Sequence, residues 1–107
     1  MEAKKIVVTG GATRIGAAIA KSLAGYKTKI TIHYNKSKKD AALLKKELEN
    51  LGSEVFLIKA DLNNYIQTEK LMTNSFKLMK GVDCLINNAS IFESDDLLNF
   101  SDKSFLK

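Results

Sequence analysis

Thr9-Gly10-Gly11-Ala12-Thr13-Arg14-Ile15-Gly16 follows the apolar run Ile6-Val7-Val8 and leads into a helical pattern. A strand, a glycine-rich turn and a helix in that order make the first unit of an alternating α/β chain. The helix start carries unpaired N–H groups and a partial positive charge, which favour a phosphate. Gly10 and Gly11 would let backbone and ligand meet without side-chain obstruction. Gly16 would let the helix pack close to its strand. Arg14 stands out as a bulky cation in a loop that otherwise wants small residues. A strict G-x-G-x-x-G spacing is not met, so the generic dinucleotide fingerprint does not apply.

The alternation continues along the chain. Residues 5–9, 29–34, 54–59 and 82–87 read as strands. Residues 14–24, 37–50 and 65–79 read as helices. Their predicted core stripes are Ile15, Ile19 and Leu23; then Ala41, Leu44, Leu48 and Leu51; then Met72, Phe76 and Met79. Val55-Phe56-Leu57-Ile58 is continuously apolar, as a parallel strand covered on both faces would be. Gly25, Gly52 and Gly81 fall just past the predicted helices, where a left-handed cap needs no Cβ. Right-handed crossovers then give a parallel sheet of order 3-2-1-4 with helices on both faces. The residues after Ser90 are irregular, and 101–107 look like the start of another helix.

With 107 residues the chain suits one small domain. No apolar run approaches the roughly 18 residues of a membrane span, and no signal peptide is evident. One cysteine, Cys84, cannot form an internal disulfide. A cytoplasmic protein is expected, with no membrane partner. The net charge is +5, carried almost wholly by Lys, with Arg14 the only arginine. No aromatic residues interleave with the lysines, so nucleic acid is not an expected partner. Cys84 is expected to pack in the core.

Three motifs resemble those of the short-chain dehydrogenases/reductases. Thr9-Gly10-x-x-x-Arg14-x-Gly16 is similar to the family's T-G-x-x-x-G-x-G loop, with Arg14 at the middle glycine. Asp61-Leu62 follows the third strand, where the family places an acid against the adenine. Asn87-Asn88-Ala89-Ser90 is similar to its N-N-A-G motif, with Ser for Gly. All three lie at carboxyl ends of predicted strands, where open α/β sheets bind ligands. The resemblance implies half of a Rossmann-type doubly wound sheet and an NAD(P)-dependent oxidoreductase. Within the family, Arg14, His33-Tyr34-Asn35-Lys36-Ser37 and Ser90 are similar to the pteridine reductases.

The expected cofactor contacts are Gly10, Thr13, Arg14, Ile15, Gly16, Tyr34, Asn35, Lys36, Ser37, Asp61, Leu62, Asn88, Ala89 and Ser90. NADP is expected over NAD. An enzyme choosing NAD usually presents an acid at the end of the second strand, and here no acid appears before Asp40. Arg14, Lys36 and Ser37 could receive the extra phosphate instead. Ser37 could equally cap the second helix, with Ser37-Lys38-Lys39-Asp40 a variant capping box. Asp61, Asn63 or Asn64 could cap the third. Asn87 could tie the fourth strand to a neighbour, and His33 could be a satisfied or half-exposed strand residue.

Hydride transfer also needs a positioned proton donor or acceptor. In the resembling family a Tyr, with a Lys four residues later, supplies it. The one such spacing here, Tyr34 to Lys38, falls at the adenosine end. No catalytic residue is therefore assigned, and the motifs cover the first half of a family member. The expected protein is a truncated NADP-binding half, inactive alone. The alternatives are a non-catalytic dinucleotide-binding module and an enzyme half completed by a second polypeptide. The fourth strand would then be an open edge, inviting a homo-oligomer or a complementing chain.

Overall fold

A computed structural model describes residues 3–88. Four parallel strands pair in the order β3-β2-β1-β4, formed by β1 (Lys4–Thr9), β2 (Thr28–Tyr34), β3 (Glu54–Lys59) and β4 (Cys84–Asn87). Helices α1 (Arg14–Leu23), α2 (Lys38–Asn50) and α3 (Tyr65–Met79) make the crossovers. This is the expected topology of a Rossmann-type sheet. Register is set by Ile6 opposite Ile30 and Cys84, and by Ile30 opposite Val55. One face carries Ile6, Val8, Ile30, Ile32 and Val55 beneath Ala20, Leu44 and Leu48. The strand period of two sends Val7 and Thr31 to the other face, the side of α3.

Two predicted helix stripes are corrected. In α1 the buried residues are Gly16 and Ala20, with Ala17 and Ala24 packed at the margin. Ile15 is 65% exposed and Leu23 37%. The helix turns its small residues to the sheet because Gly16 must lie against the glycine loop, and close approach leaves no room for large side chains. In α3 the buried stripe is Leu71, Ser75 and Met79, and Phe76 lies outward. Leu51, expected in the core, is the exposed C-cap of α2.

The left-handed residue closing α3 is Lys80, at φ 63°, not Gly81. Cys84 is exposed, not packed in the core. Among the described residues β4 pairs only with β1, so its outer flank lacks a neighbour. The predicted helix at 101–107 lies outside the described residues.

Thr31 is fully buried, and its hydroxyl has no hydrogen-bond partner. Burying an unpaired hydroxyl costs about 1–3 kcal/mol. Thr31→Val keeps the shape and removes that cost. The variant is expected to gain about 1 kcal/mol, raising the melting temperature by about 4–8 °C. Differential scanning calorimetry showing a lower melting temperature would mean that the hydroxyl is satisfied.

Candidate functional site

The glycine loop joins β1 to α1. Gly10 takes φ 63°, a left-handed conformation that costs glycine little. Its N–H donates to His33 Nδ1 at 2.9 Å. The next amide, of Gly11, donates to the His33 carbonyl at 3.0 Å. On its other side, the Gly10 carbonyl accepts from Thr13 N–H at 3.1 Å, Thr13 Oγ1 at 2.8 Å and Asn88 Nδ2 at 3.3 Å. The Gly10 peptide is thus held from both ends. A Cβ on Gly11 would lie 2.8 Å from Ile32 Cγ2, so this glycine serves packing against the sheet.

Thr13 is the N-cap of α1, and its Oγ1 accepts from Gly16 N–H at 3.0 Å. The Ala17 amide bonds the Thr13 carbonyl. A helix start has four amides without an intrahelical partner. The Ala17 bond is the first of the helix ladder; of the four amides before it, that of Thr13 bonds the Gly10 carbonyl and that of Gly16 bonds Thr13 Oγ1, and those of Arg14 and Ile15 remain uncommitted among the described residues. Both residues are exposed. An open depression of about 330 Å³ is lined by Thr13, Arg14, Ile15 and Asn88. Two free amides, a positive helix end and an arginine facing one depression can hold an anion.

The carboxyl ends of β1 and β4 are tied together. Thr9 Oγ1 donates to Asn87 Oδ1 at 2.9 Å and accepts from Asn88 N–H at 2.9 Å. Asn87 therefore does tie the fourth strand to its neighbour, through its side chain. Asn88 Nδ2 also reaches Thr13 Oγ1, at 3.2 Å. Asn88 faces the depression while bracing the loop behind it. Thr9, unassigned in the sequence, is the hub of this tie.

His33 is 3% exposed. Its Nε2 lies 2.8 Å from the Ala60 carbonyl. The carbonyl can only accept and the Gly10 amide can only donate, so the ring carries its proton on Nε2. Burial pulls its pKa below the ordinary value, and the Ala60 carbonyl opposes this more weakly. The satisfied-residue alternative is what the structure shows, with both partners on main chain. Period-two alternation could have placed His33 on a buried face, and a buried ring nitrogen is almost always bonded.

At the β2–α2 junction Tyr34 is half-buried, and Asn35, Lys36 and Ser37 are exposed. Ser37 occupies the N-cap position of α2 but makes no side-chain cap bond. The capping-box alternative is therefore not realised. Lys38 N–H closes a tight turn on the Lys36 carbonyl, and Ser37 has ψ 61° instead of an extended value. Its hydroxyl is left toward solvent beside Lys36.

After β3, Asp61 and Leu62 are half-buried. Asp61 Oδ1 accepts from Asn63 N–H at 2.9 Å, making a local turn. Asn64 is the cap of α3, its Oδ1 accepting from Gln67 N–H at 3.1 Å. Gly10, Thr13, Arg14, Ile15, Gly16 and Asn88 come together around the loop. The two other groups sit at the neighbouring strand ends, on the same edge of the sheet. Ala89 and Ser90 lie outside the described residues. Tyr34 and Lys38 stand at the end of β2, with β1 between them and β4.

The sequence matches the family model described as short chain dehydrogenase over residues 4–107. It is 29% identical over 105 residues to a short-chain dehydrogenase/reductase of Pestalotiopsis microspora, covering 98% of this chain and 40% of that protein. A solved short chain dehydrogenase from Burkholderia cenocepacia J2315, in complex with NADP, is 34% identical with a TM-score of 0.80. That likeness covers 90% of this chain and 42% of that one. A second dehydrogenase from Burkholderia cenocepacia, with bound NADP, is 26% identical with a TM-score of 0.73, covering 91% and 41%. The chain spans about 40% of the length of the curated relatives it matches.

Proposed function

The chain belongs to the short-chain dehydrogenase family, and we propose that residues 1–107 are an NADP(H)-binding half of such an oxidoreductase. The observation that carries this reading is the pair of uncommitted amides, Arg14 and Ile15, at the start of α1. The amides of Gly10, Gly11, Thr13 and Gly16 are spent on holding the loop. A Cβ at Gly16 would collide with the Gly10 and Gly11 main chain, so this glycine lets the helix start sit against the loop. The site therefore fits a pyrophosphate, held by the two amides and the positive helix end.

Arg14, Lys36 and Ser37 would receive the 2′-phosphate, and Tyr34 and Asn35 would flank the ribose. Two features support NADP over NAD. No acid occupies the end of β2, and the Ser37 hydroxyl is not spent on a cap. The two Burkholderia structures named above also carry NADP. Asp61 and Leu62 would lie against the adenine. Asn88, with Ala89 and Ser90, would border the nicotinamide. The bound cofactor supplies hydride chemistry; these residues bind and orient it. Isothermal titration calorimetry tests the assignment: NADP is expected to bind more tightly than NAD. Equal affinity ends the phosphate assignment, and no binding of either ends the dinucleotide reading.

The proton donor is assigned outside these 107 residues, since Tyr34 and Lys38 are remote from Asn88. The chain alone is then expected to be inactive. Arg14 and the run His33-Tyr34-Asn35-Lys36-Ser37 favour a pteridine reductase-like activity. Supplying a polypeptide with the remaining strands and a Tyr-x-x-x-Lys helix, then following NADPH oxidation, tests this. A biopterin-like substrate should turn over and a simple ketone should not; the reverse would remove the subgroup assignment. A non-catalytic dinucleotide module is the result if no substrate turns over.

The outer flank of β4 is the proposed contact for a second copy or a completing chain. Cys84 is exposed there and Leu85 is 48% exposed. Light scattering that finds a stable monomer at high concentration would remove self-association.

A further inference from the structure

We propose that His33 is a positioning residue for the dinucleotide loop, its bare Nδ1 turning the Gly10 peptide so that the Arg14 and Ile15 amides face the ligand. The inference rests on the glycine loop being the cofactor site. His33 belongs to β2, yet its ring joins the loop after β1 to the chain after β3. Nδ1 accepts from Gly10 N–H at 2.9 Å, and Nε2–H donates to the Ala60 carbonyl at 2.8 Å. Its own carbonyl takes the Gly11 amide. Two successive loop amides thus end on one residue.

The arrangement is polar in a way that admits one tautomer. Gly10 offers only a donor to the ring, and Ala60 only an acceptor. The ring is 3% exposed, so no water is at hand to take over either bond. Without the Nδ1 acceptor the half-buried Gly10 N–H is orphaned, and an orphan amide beside solvent favours rotation of its peptide toward water. Rotation of that peptide disturbs the carbonyl that binds Thr13 N–H and Thr13 Oγ1. Thr13 caps α1, so the disturbance reaches the two amides that face the depression.

Two amide variants separate the ring's two bonds. His33→Asn keeps an acceptor at the position of Nδ1 and loses the donor to Ala60. His33→Gln keeps a donor at the position of Nε2 and loses the acceptor for Gly10. Each variant forfeits one hydrogen bond of the same kind, so a merely structural residue would give similar losses in both. Calorimetry with NADP is expected to show binding retained in His33→Asn and weakened about tenfold in His33→Gln. Equal affinities in the two variants, or the opposite order, would overturn the assignment.

A second measurement needs no ligand. His33 is the only histidine of the chain, so its ring nitrogens are unambiguous in a 15N spectrum. A neutral ring protonated on Nε2 is expected. A ring protonated on Nδ1 would overturn the inference whether or not the cofactor binds. Wild-type chain with the expected tautomer but no affinity for NADP or NAD would instead strike at the cofactor reading, and with it the ligand role given to His33.

Discussion

Gly16→Ala is expected to abolish measurable NADP binding and to lower the melting temperature by on the order of 10 °C. The added Cβ would run into the Gly10 carbonyl oxygen. It would also lie 2.8 Å from Gly11 Cα and 2.8 Å from Asn88 Nδ2. Two of these neighbours are main chain, so they cannot swing away as a flexible side chain would. Overpacking costs about 1–3 kcal/mol, and the two main-chain neighbours put this case at the upper end, about 3 kcal/mol. Alanine is about 1 kcal/mol better than glycine within a helix, which offsets part of the cost. A net loss of about 2 kcal/mol remains. Relief requires α1 to move off the loop, carrying the Arg14 and Ile15 amides with it. Function should therefore fall further than stability. Calorimetric binding close to wild type, with an unchanged melting temperature, would show that the loop yields without cost.

Removing the two cations with Arg14→Ala and Lys36→Ala together is expected to erase the preference for NADP. Each charged hydrogen bond to the 2′-phosphate contributes more than a neutral one, and arginine can make two at once. Both side chains are exposed, so salt screens part of their effect. NADP affinity is expected to fall about ten- to a hundredfold while NAD affinity changes little. The readout is the ratio of the two dissociation constants at low and moderate salt. A parallel loss for both cofactors would move Arg14 and Lys36 from phosphate selection to general support of the loop.

The placement of α1 shows how far sequence patterning reaches. Its apolar residues recur at helical spacing, which announces a helix correctly. The same spacing points to Ile15, Ile19 and Leu23 as the buried stripe, yet the sheet takes Gly16 and Ala20. A periodic pattern reports which residues share a face. It does not report the distance at which the face packs. Here that distance is set by main chain meeting main chain at Gly10, Gly11 and Gly16. α3 differs in the same way, with Ser75 buried and Phe76 outward. Ser75 enters the core because its hydroxyl bonds the Leu71 carbonyl within the helix.

The candidate site divides along similar lines. The glycine loop, Asp61 and Asn87-Asn88 were legible because each sits at the end of a strand with a turn residue beside it. Their mutual bonds were not. Thr9 and His33 stand in quoted stretches of sequence, but nothing there announces their bonds, because their partners lie far away in sequence. Thr9 bonds across 78 residues to Asn87, and His33 across 23 residues to Gly10.

From sequence alone came the alternation of strand and helix, the parallel order, and the edge of the sheet where the glycines gather. Those are local or periodic properties, written in turn chemistry and in the spacing of apolar residues. Tertiary structure alone decided which loop amides are spent and which are free. That outcome depends on groups delivered by other strands: His33 of β2 accepts from the Gly10 and Gly11 amides, and Asn88 beyond β4 donates to the Gly10 carbonyl and Thr13 Oγ1. A hydrogen bond is made only when the sheet has brought both partners within about 3 Å, and no stretch of the chain encodes that distance by itself.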